Sequence, residues 1–270
     1  MATVRVGDLD LHYEVDGQGE PLLCLMGLGG ARGAWDLVRP ELARRHRLIL
    51  VDNRDAGDSA EASGAYGLAD MANDALAVLD HLGVERFHVL GASMGGAVAQ
   101  HLALGAPARV ASHVLASTWG RTDGFLTAVF TGWRRLVATL APGDFLAVQA
   151  PWAFTHRFFD APPPELVAHQ RTRADRVPFK SSAAYQRQVD ACLAHDVLAL
   201  LVLLRTPALV LVGEDDVLTP ARYGRALAAA LPRGDVMMVP ASGHACFLET
   251  PKPFAERVLR FLARHTVVPA

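Results

Sequence analysis

The chain has 270 residues, 51% of them hydrophobic, and a formal charge of −2 with no basic block. That size and apolar share suit a single enzyme-sized domain built on a sheet buried on both faces, and the charge balance gives no reason to expect nucleic acid as a partner. Cys24, Cys192 and Cys246 are scattered, without metal-ligand spacing or a disulfide framework, no secretory leader is recognisable at the N-terminus, and the apolar run at 197–204 is too short to span a bilayer. The default expectation is a reducing, cytoplasmic setting with no membrane partner.

Residues 1–17 alternate as a half-exposed antiparallel strand pair should. Apolar runs then predict strands at 21–26, 48–52, 87–92 and 110–116. Between them, Leu68, Met71, Ala75, Leu76 and Leu79 fall at helical spacing over 68–82, and an alanine-rich helix is expected over 97–104. Such alternation implies a parallel sheet with right-handed crossovers. From 119 to 204 the alternation stops. This stretch holds Trp133, Phe145, Trp152 and Phe154, and a Pro162-Pro163-Pro164 break with helical patterns on both sides. Strands resume at 209–213 and 236–240.

The most telling local signal is Gly91-Ala92-Ser93-Met94-Gly95 between a predicted strand and a predicted helix. A Gly-x-Ser-x-Gly turn in that context is a nucleophile elbow, which projects a serine hydroxyl above the sheet edge. Alone, the pentapeptide reads equally well as a glycine-rich turn with an incidental serine; the flanking strand and helix favour the elbow. Two further strand ends carry matching chemistry. One runs into Glu214-Asp215-Asp216, where either aspartate could serve as an acid, and the other into Ala241-Ser242-Gly243-His244. A histidine is more often a surface or satisfied core residue, but His244 stands just past a strand, behind a glycine. Serine, acid and histidine in this order form a plausible acyl-transfer set.

With these segments the chain resembles the α/β-hydrolases over almost its whole length, with 3-oxoadipate enol-lactonases and the methylesterases of aromatic polyketides as the nearest echoes. Further carriers are Leu23-Cys24-Leu25-Met26-Gly27-Leu28-Gly29-Gly30 with Trp35, the turn from Asp52 to Ser59, and Phe247-Leu248-Glu249-Thr250-Pro251 behind His244. The resemblance implies an α/β-hydrolase fold: a mostly parallel eight-stranded sheet flanked by helices, with residues 1–118 and 205–270 as the core and 119–204 as a helical cap insertion. Counting from Gly213 in the pattern Gly-x-x-Asp-x-x-Thr-Pro puts Asp216, not Asp215, in the acid slot. It makes Ser93 the nucleophile, His244 the base, and the N–H groups of Leu28 and Met94 the oxyanion donors. Two departures stand out. Met26 occupies a place where most members have histidine, and Asp55 replaces the first glycine of the Asp52–Ser59 turn, which is read here as structural.

Trp119, Trp133, Trp152 and Phe154 are the candidate pocket residues, although most aromatics of the insertion are expected to form its own core. The expected reaction is hydrolysis of a small hydrophobic or aromatic carboxylic ester or lactone through an acyl-enzyme, with no metal and no organic cofactor. A homodimer is left open. Competing readings are a carbon–carbon hydrolase of a vinylogous diketone, guided by cap residues such as Arg134, Arg135, His156, Arg157, His169 or Arg171; an acyltransferase or perhydrolase; and a non-catalytic ligand binder.

Overall fold

The computed structural model describes residues 2–172 and 179–267. Its strands are β1 (Ala2–Val6), β2 (Leu9–Asp16), β3 (Glu20–Leu25), β4 (His46–Val51), β5 (Phe87–Ala92), β6 (Val110–Ala116), β7 (Ala208–Gly213) and β8 (Gly234–Val239). They form one eight-stranded sheet in the order β1-β2-β4-β3-β5-β6-β7-β8. β1 pairs antiparallel with β2, and β2 antiparallel with β4, while every later pairing is parallel. This is the mostly parallel sheet that the resemblance implies.

Side-chain alternation along β3 explains the two cores. Leu23 and Leu25 join Val89, Met71, Ala75, Val98 and Leu102 on one face, whereas Leu22 and Cys24 join Leu48, Leu50, Trp35, Leu42, Phe254 and Val258 on the other. The helices that cover these faces are α1 (Arg39–Ala43), α2 (Leu68–His81) and α3 (Met94–Gly105) before the insertion. Helix α2 matches its expected span, but α3 begins three residues ahead of the expected 97. Gly95 and Gly96 sit in its first turn and weaken the helical signal there.

Between β6 and β7 the described residues form no strand. They fold instead as α4 (Gly124–Leu136), α5 (Pro142–Ala153), α6 (His156–Asp160), α7 (Pro164–Thr172) and α8 (Ser182–Leu193). Asp123 caps α4 by accepting from the N–H of Leu126, and Ser181 caps α8 by accepting from that of Ala184. The segment leaves and returns side by side: the Val197 N–H donates to the Gly120 carbonyl at 2.9 Å and the Thr122 N–H to the His195 carbonyl at 2.8 Å. After β7 come α9 (Ala221–Ala230), α10 (Cys246–Glu249) and α11 (Pro251–Leu262). Among the described residues no helix is long and apolar enough to cross a membrane. All three cysteines are buried. Burial pushes the Cys24 and Cys246 thiols up to about 12 and raises that of Cys192 further.

Candidate active site

Ser93 stands between the end of β5 and the start of α3 with φ 54° and ψ −122°, a conformation that L-residues rarely adopt. Surrounding bonds over-determine it. Its N–H donates to the Ala116 carbonyl on β6 at 2.9 Å, and its carbonyl accepts from Gly96 N–H at 2.9 Å and from Thr118 Oγ1 at 2.7 Å. The flanking glycines are required by contact: a Cβ on Gly91 would lie 2.3 Å from the Gly95 carbonyl oxygen, and one on Gly95 only 2.1 Å from that of Leu25. The elbow is therefore a product of sheet and helix packing, and Ser93 stays partly exposed above it.

The loops after β7 and β8 bring the other two groups to this point. His244 Nε2 lies 2.9 Å from Ser93 Oγ, and its Nδ1 lies 3.0 Å from Asp216 Oδ2. Asp216 is fixed on its far side as well, since Oδ1 accepts from the N–H groups of Leu218 at 2.9 Å and Thr219 at 2.8 Å. Thr219 Oγ1 donates to Asp216 Oδ2 at 2.7 Å and sits 3.1 Å from His244 Nδ1. Burial of Asp216 works to raise its pKa, but the charge and hydrogen bond of His244, joined by those from Thr219, outweigh it and hold the carboxyl below its ordinary range. An ionised acid in that place keeps the proton of neutral His244 on Nδ1, leaving Nε2 free to accept from the serine hydroxyl. Asp215 is separated from this set. It is exposed and pairs with Arg157 on α6.

Behind His244 the loop is tied down by Glu249. One carboxylate oxygen accepts from the Gly243 N–H at 2.6 Å, and the other accepts from the N–H and hydroxyl of Thr155 at 3.0 and 2.7 Å. The loop after β3 closes the opposite side: Asn53 Nδ2 donates to the Met26 carbonyl at 2.9 Å, and the Gly30 N–H donates to that of Gly27 at 2.9 Å. Among the described residues, no internal hydrogen bond takes up the N–H of Leu28 or Met94. Leu28 lines the cavity beside Ser93, whereas the Met94 side chain is fully buried at the first position of α3.

That cavity measures about 400 Å³, and its walls include Ser93, His244, Leu28, Trp133, Trp152 and Phe154. Trp119 is not among them, and the expectation for this residue is corrected. It is fully buried beneath the insertion, 5.3 Å from the Phe130 ring, with its indole N–H donated to Thr122 Oγ1 at 2.8 Å. A tryptophan so enclosed on all sides packs the base of the insertion. The residues that sequence reasoning missed are Phe179, Tyr185, Gln149 and Leu146 on the insertion side, with Leu218 and Phe247 from the loops. Gln149 Nε2 donates to the Tyr185 hydroxyl at 2.5 Å, which places one polar pair in an otherwise apolar wall. Of the polar insertion residues, Arg134 pairs with Asp190 and Arg157 with Asp215, both pairs about half exposed, and Arg135 and His156 are exposed. The side chains of His169 and Arg171 lie outside the described residues.

At the opposite end of the sheet, Glu20, His46 and His88 bring metal-type donor atoms within 4.8 Å of one another. Zinc-like coordination needs such donors about 3.3 Å apart. Both nitrogens of His88 are already engaged, with Ser112 Oγ at 2.8 Å and Glu20 Oε2 at 3.2 Å. Hydrogen bonding accounts for His88 and Glu20, while the buried His46 Nδ1 has no such partner among the described residues.

Comparison with known proteins agrees with the geometry. The family model described as α/β-hydrolase fold matches residues 20–251. The chain is 32% identical over 268 residues to RutD of Azorhizobium caulinodans, which is provisionally named a carbamate hydrolase, with 97% of this chain and 98% of that protein covered. Among solved structures, a thermophilic esterase from Thermogutta terrifontis superposes with a TM-score of 0.87 at 26% identity, covering 98% of this chain and 100% of the other. An enol-lactonase from Burkholderia xenovorans reaches a TM-score of 0.89 at 24% identity over 97% of this chain and 100% of its own, a likeness of fold alone. By these matches, which run through both the sheet and the loops that carry Ser93, Asp216 and His244, the chain belongs to the α/β-hydrolase fold family and is a hydrolase.

Proposed function

We propose that this hydrolase cleaves a carboxylic ester or lactone of a small, neutral, hydrophobic or aromatic substrate through an acyl-enzyme on Ser93. One observation carries the reading: His244 bridges Ser93 Oγ at 2.9 Å and the buried Asp216 at 3.0 Å, at the floor of an apolar cavity. Ser93 Oγ attacks the carbonyl carbon as its proton passes to His244 Nε2, and Asp216 stabilises the resulting imidazolium. The tetrahedral oxyanion is received by the N–H groups of Leu28 and Met94, each such donor typically worth about 3 kcal/mol of barrier. Collapse expels the alkoxide, which takes the proton from His244. Water, deprotonated by the same imidazole, then attacks the acyl carbon and releases the acid and free Ser93.

Residues 119–204 act in this reading as a cap that selects the substrate. The cap supplies Trp133, Trp152, Phe154, Phe179 and Tyr185 to the cavity wall, while Ser93, Asp216 and His244 come from the sheet loops. The relatives' name raises a second reading, hydrolysis of a carbamate by the same triad. The described cavity walls are mainly apolar and aromatic, with Trp133, Trp152, Phe154 and Phe179 among them, which suits a neutral ester or lactone.

The test is a panel of short aryl esters, lactones and carbamates with wild type and Ser93→Ala, together with labelling by a serine-directed phosphonate. The variant should fold, resist labelling and lose about 10⁴ to 10⁶ in kcat. Ester turnover above about a tenth of wild type in that variant would remove Ser93 as nucleophile, and a preference for carbamates over every ester would overturn the substrate class.

A further inference from the structure

We infer that Gln188 on α8 is a positioning residue for the oxyanion loop, and that the ion pair between buried Asp55 and half-buried Arg187 is the latch that holds α8 in place to do so. The inference rests on the serine-hydrolase reading above and concerns how one of its donors is held.

Gln188 is fully buried and uses both ends of its amide. Its Oε1 accepts from the Gly29 N–H at 2.8 Å, and its Nε2 donates to the Arg54 carbonyl at 2.9 Å. The bond to Gly29 falls one residue after Leu28, whose own N–H is left for the substrate. Met26, two residues before Leu28, is held through its carbonyl by Asn53. Leu28 is thus suspended between two fixed points, one from the core and one from the insertion. Tyr185, one turn earlier on α8, closes over the same loop: a Cβ on Gly29 would lie 2.8 Å from its ring, and Gly29 itself has φ 67°. No bulkier residue fits under this helix, and the loop takes its shape against it.

The helix is in turn fastened to the turn after β4. Asp55 is fully buried with φ 68°, a left-handed conformation that is uncommon for a residue other than glycine. Its carboxylate takes the Arg187 guanidinium through two bonds, at 2.8 and 2.6 Å, and also accepts from the Tyr66 hydroxyl at 2.7 Å and the Ala62 N–H at 2.8 Å. Ala56 and Phe179 add a backbone bridge between the same two segments. A backbone conformation suited to glycine, occupied by a buried carboxylate that grips the next residue to Gln188, is explained if the grip sets where α8 rests. Two-point bonding of arginine by carboxylate fixes orientation as well as distance.

The experiment uses the full chain carrying Gln188→Met, which keeps the length and removes both hydrogen bonds. Active sites are counted with the phosphonate so that kcat refers to folded enzyme. Misplacing one oxyanion donor by a fraction of its bond length should lower kcat about 10- to 100-fold, with KM for an aryl ester within about twofold. Affinity for an arylboronic acid, which adds to the serine as a tetrahedral anion, should fall by a similar factor, while affinity for the neutral product alcohol should not. A role confined to folding would change the count of active sites and the Tm but leave normalised kcat and boronate affinity at wild-type values; that result overturns the inference. Asp55→Gly gives a second measurement should Gln188→Met not fold, since glycine accepts φ near 68° and the grip on Arg187 is lost, together with the bonds to Tyr66 and Ala62. It should show a smaller loss of the same kind, and unchanged kcat and boronate affinity there would also count against the latch. Failure of wild type to react with phosphonate or boronate would instead fell the underlying serine-hydrolase reading, so the two failures are distinguishable.

Discussion

Asp216→Asn should be far more damaging than its isosteric character suggests. The two faces of the carboxylate have opposite requirements. Oδ1 faces two backbone donors, Leu218 N–H and Thr219 N–H at 2.9 and 2.8 Å, so the asparagine oxygen must remain there. Turning the amide round would set its NH₂ against both, leaving buried donors unpaired at a cost of about 1–3 kcal/mol each. The NH₂ is therefore forced into the place of Oδ2, facing His244 Nδ1 at about 3.0 Å. A donor there makes Nδ1 the acceptor, moves the ring proton to Nε2, and turns that nitrogen from a base toward Ser93 into a competing donor. The loss expected for this tautomer inversion is about 10⁴ in kcat, equivalent to roughly 5.5 kcal/mol. The assay is kcat on a short aryl ester, normalised to correctly folded protein by Tm and near-ultraviolet dichroism. Asp215→Asn is the matched control, because it breaks only a surface pair with Arg157 and should stay within about twofold. A folded Asp216→Asn enzyme within tenfold of wild type, or a crippled Asp215→Asn, would refute the tautomer argument.

Enlarging the cavity should redirect specificity. Trp152→Ala or Trp133→Ala removes an indole from the wall and should shift relative kcat/KM toward bulkier acyl or alcohol groups by about tenfold or more; an unchanged ranking would place these rings outside the substrate's reach. A separate effect concerns acid stability. His113 is buried with its Nε2 unpartnered, and burial pushes its pKa down to about 4. The unfolded chain takes up this proton near pH 6.5, so His113 should contribute a loss of roughly 3 kcal/mol as pH falls from there to about 4, beside that of His195, which burial pushes down to about 4 as well. His113→Leu should reduce the fall of Tm over that window, and an identical slope in both proteins would show that the group does not contribute to it.

Local signals made the scaffold legible and marked the three side chains that the fold brings together as a candidate triad. Ser93 was marked by glycines whose spacing the close approach of β5 and α3 demands, and Asp216 and His244 by the ends of apolar runs that became β7 and β8. What separates Asp215 from Asp216 is a difference in burial between adjacent residues, which only counting against a pattern could suggest. Trp119 shows the limit of composition: an aromatic looks the same in sequence whether it walls a cavity or packs beneath it. Gln188 and Tyr185 gave no signal at all, because their partners in the site stand far away along the chain, Gly29 lying 159 positions before Gln188. A polar residue on a helix is ordinarily read as solvent-facing, and only tertiary packing turns Gln188 inward.

The burial of the thiols has a practical consequence for chemical probing. Cysteine usually captures electrophilic fragments first, because its thiolate outcompetes a hydroxyl. Here Cys24, Cys192 and Cys246 are enclosed and their ionisation is suppressed, while Ser93 stands partly exposed beside an imidazole. Acylating or phosphonylating fragments can therefore be screened against the unaltered chain by intact-mass spectrometry, without reductant or cysteine replacement. A single stoichiometric adduct would report the cavity's preference for shape and polarity directly, turning the search for a substrate into a competition between warheads.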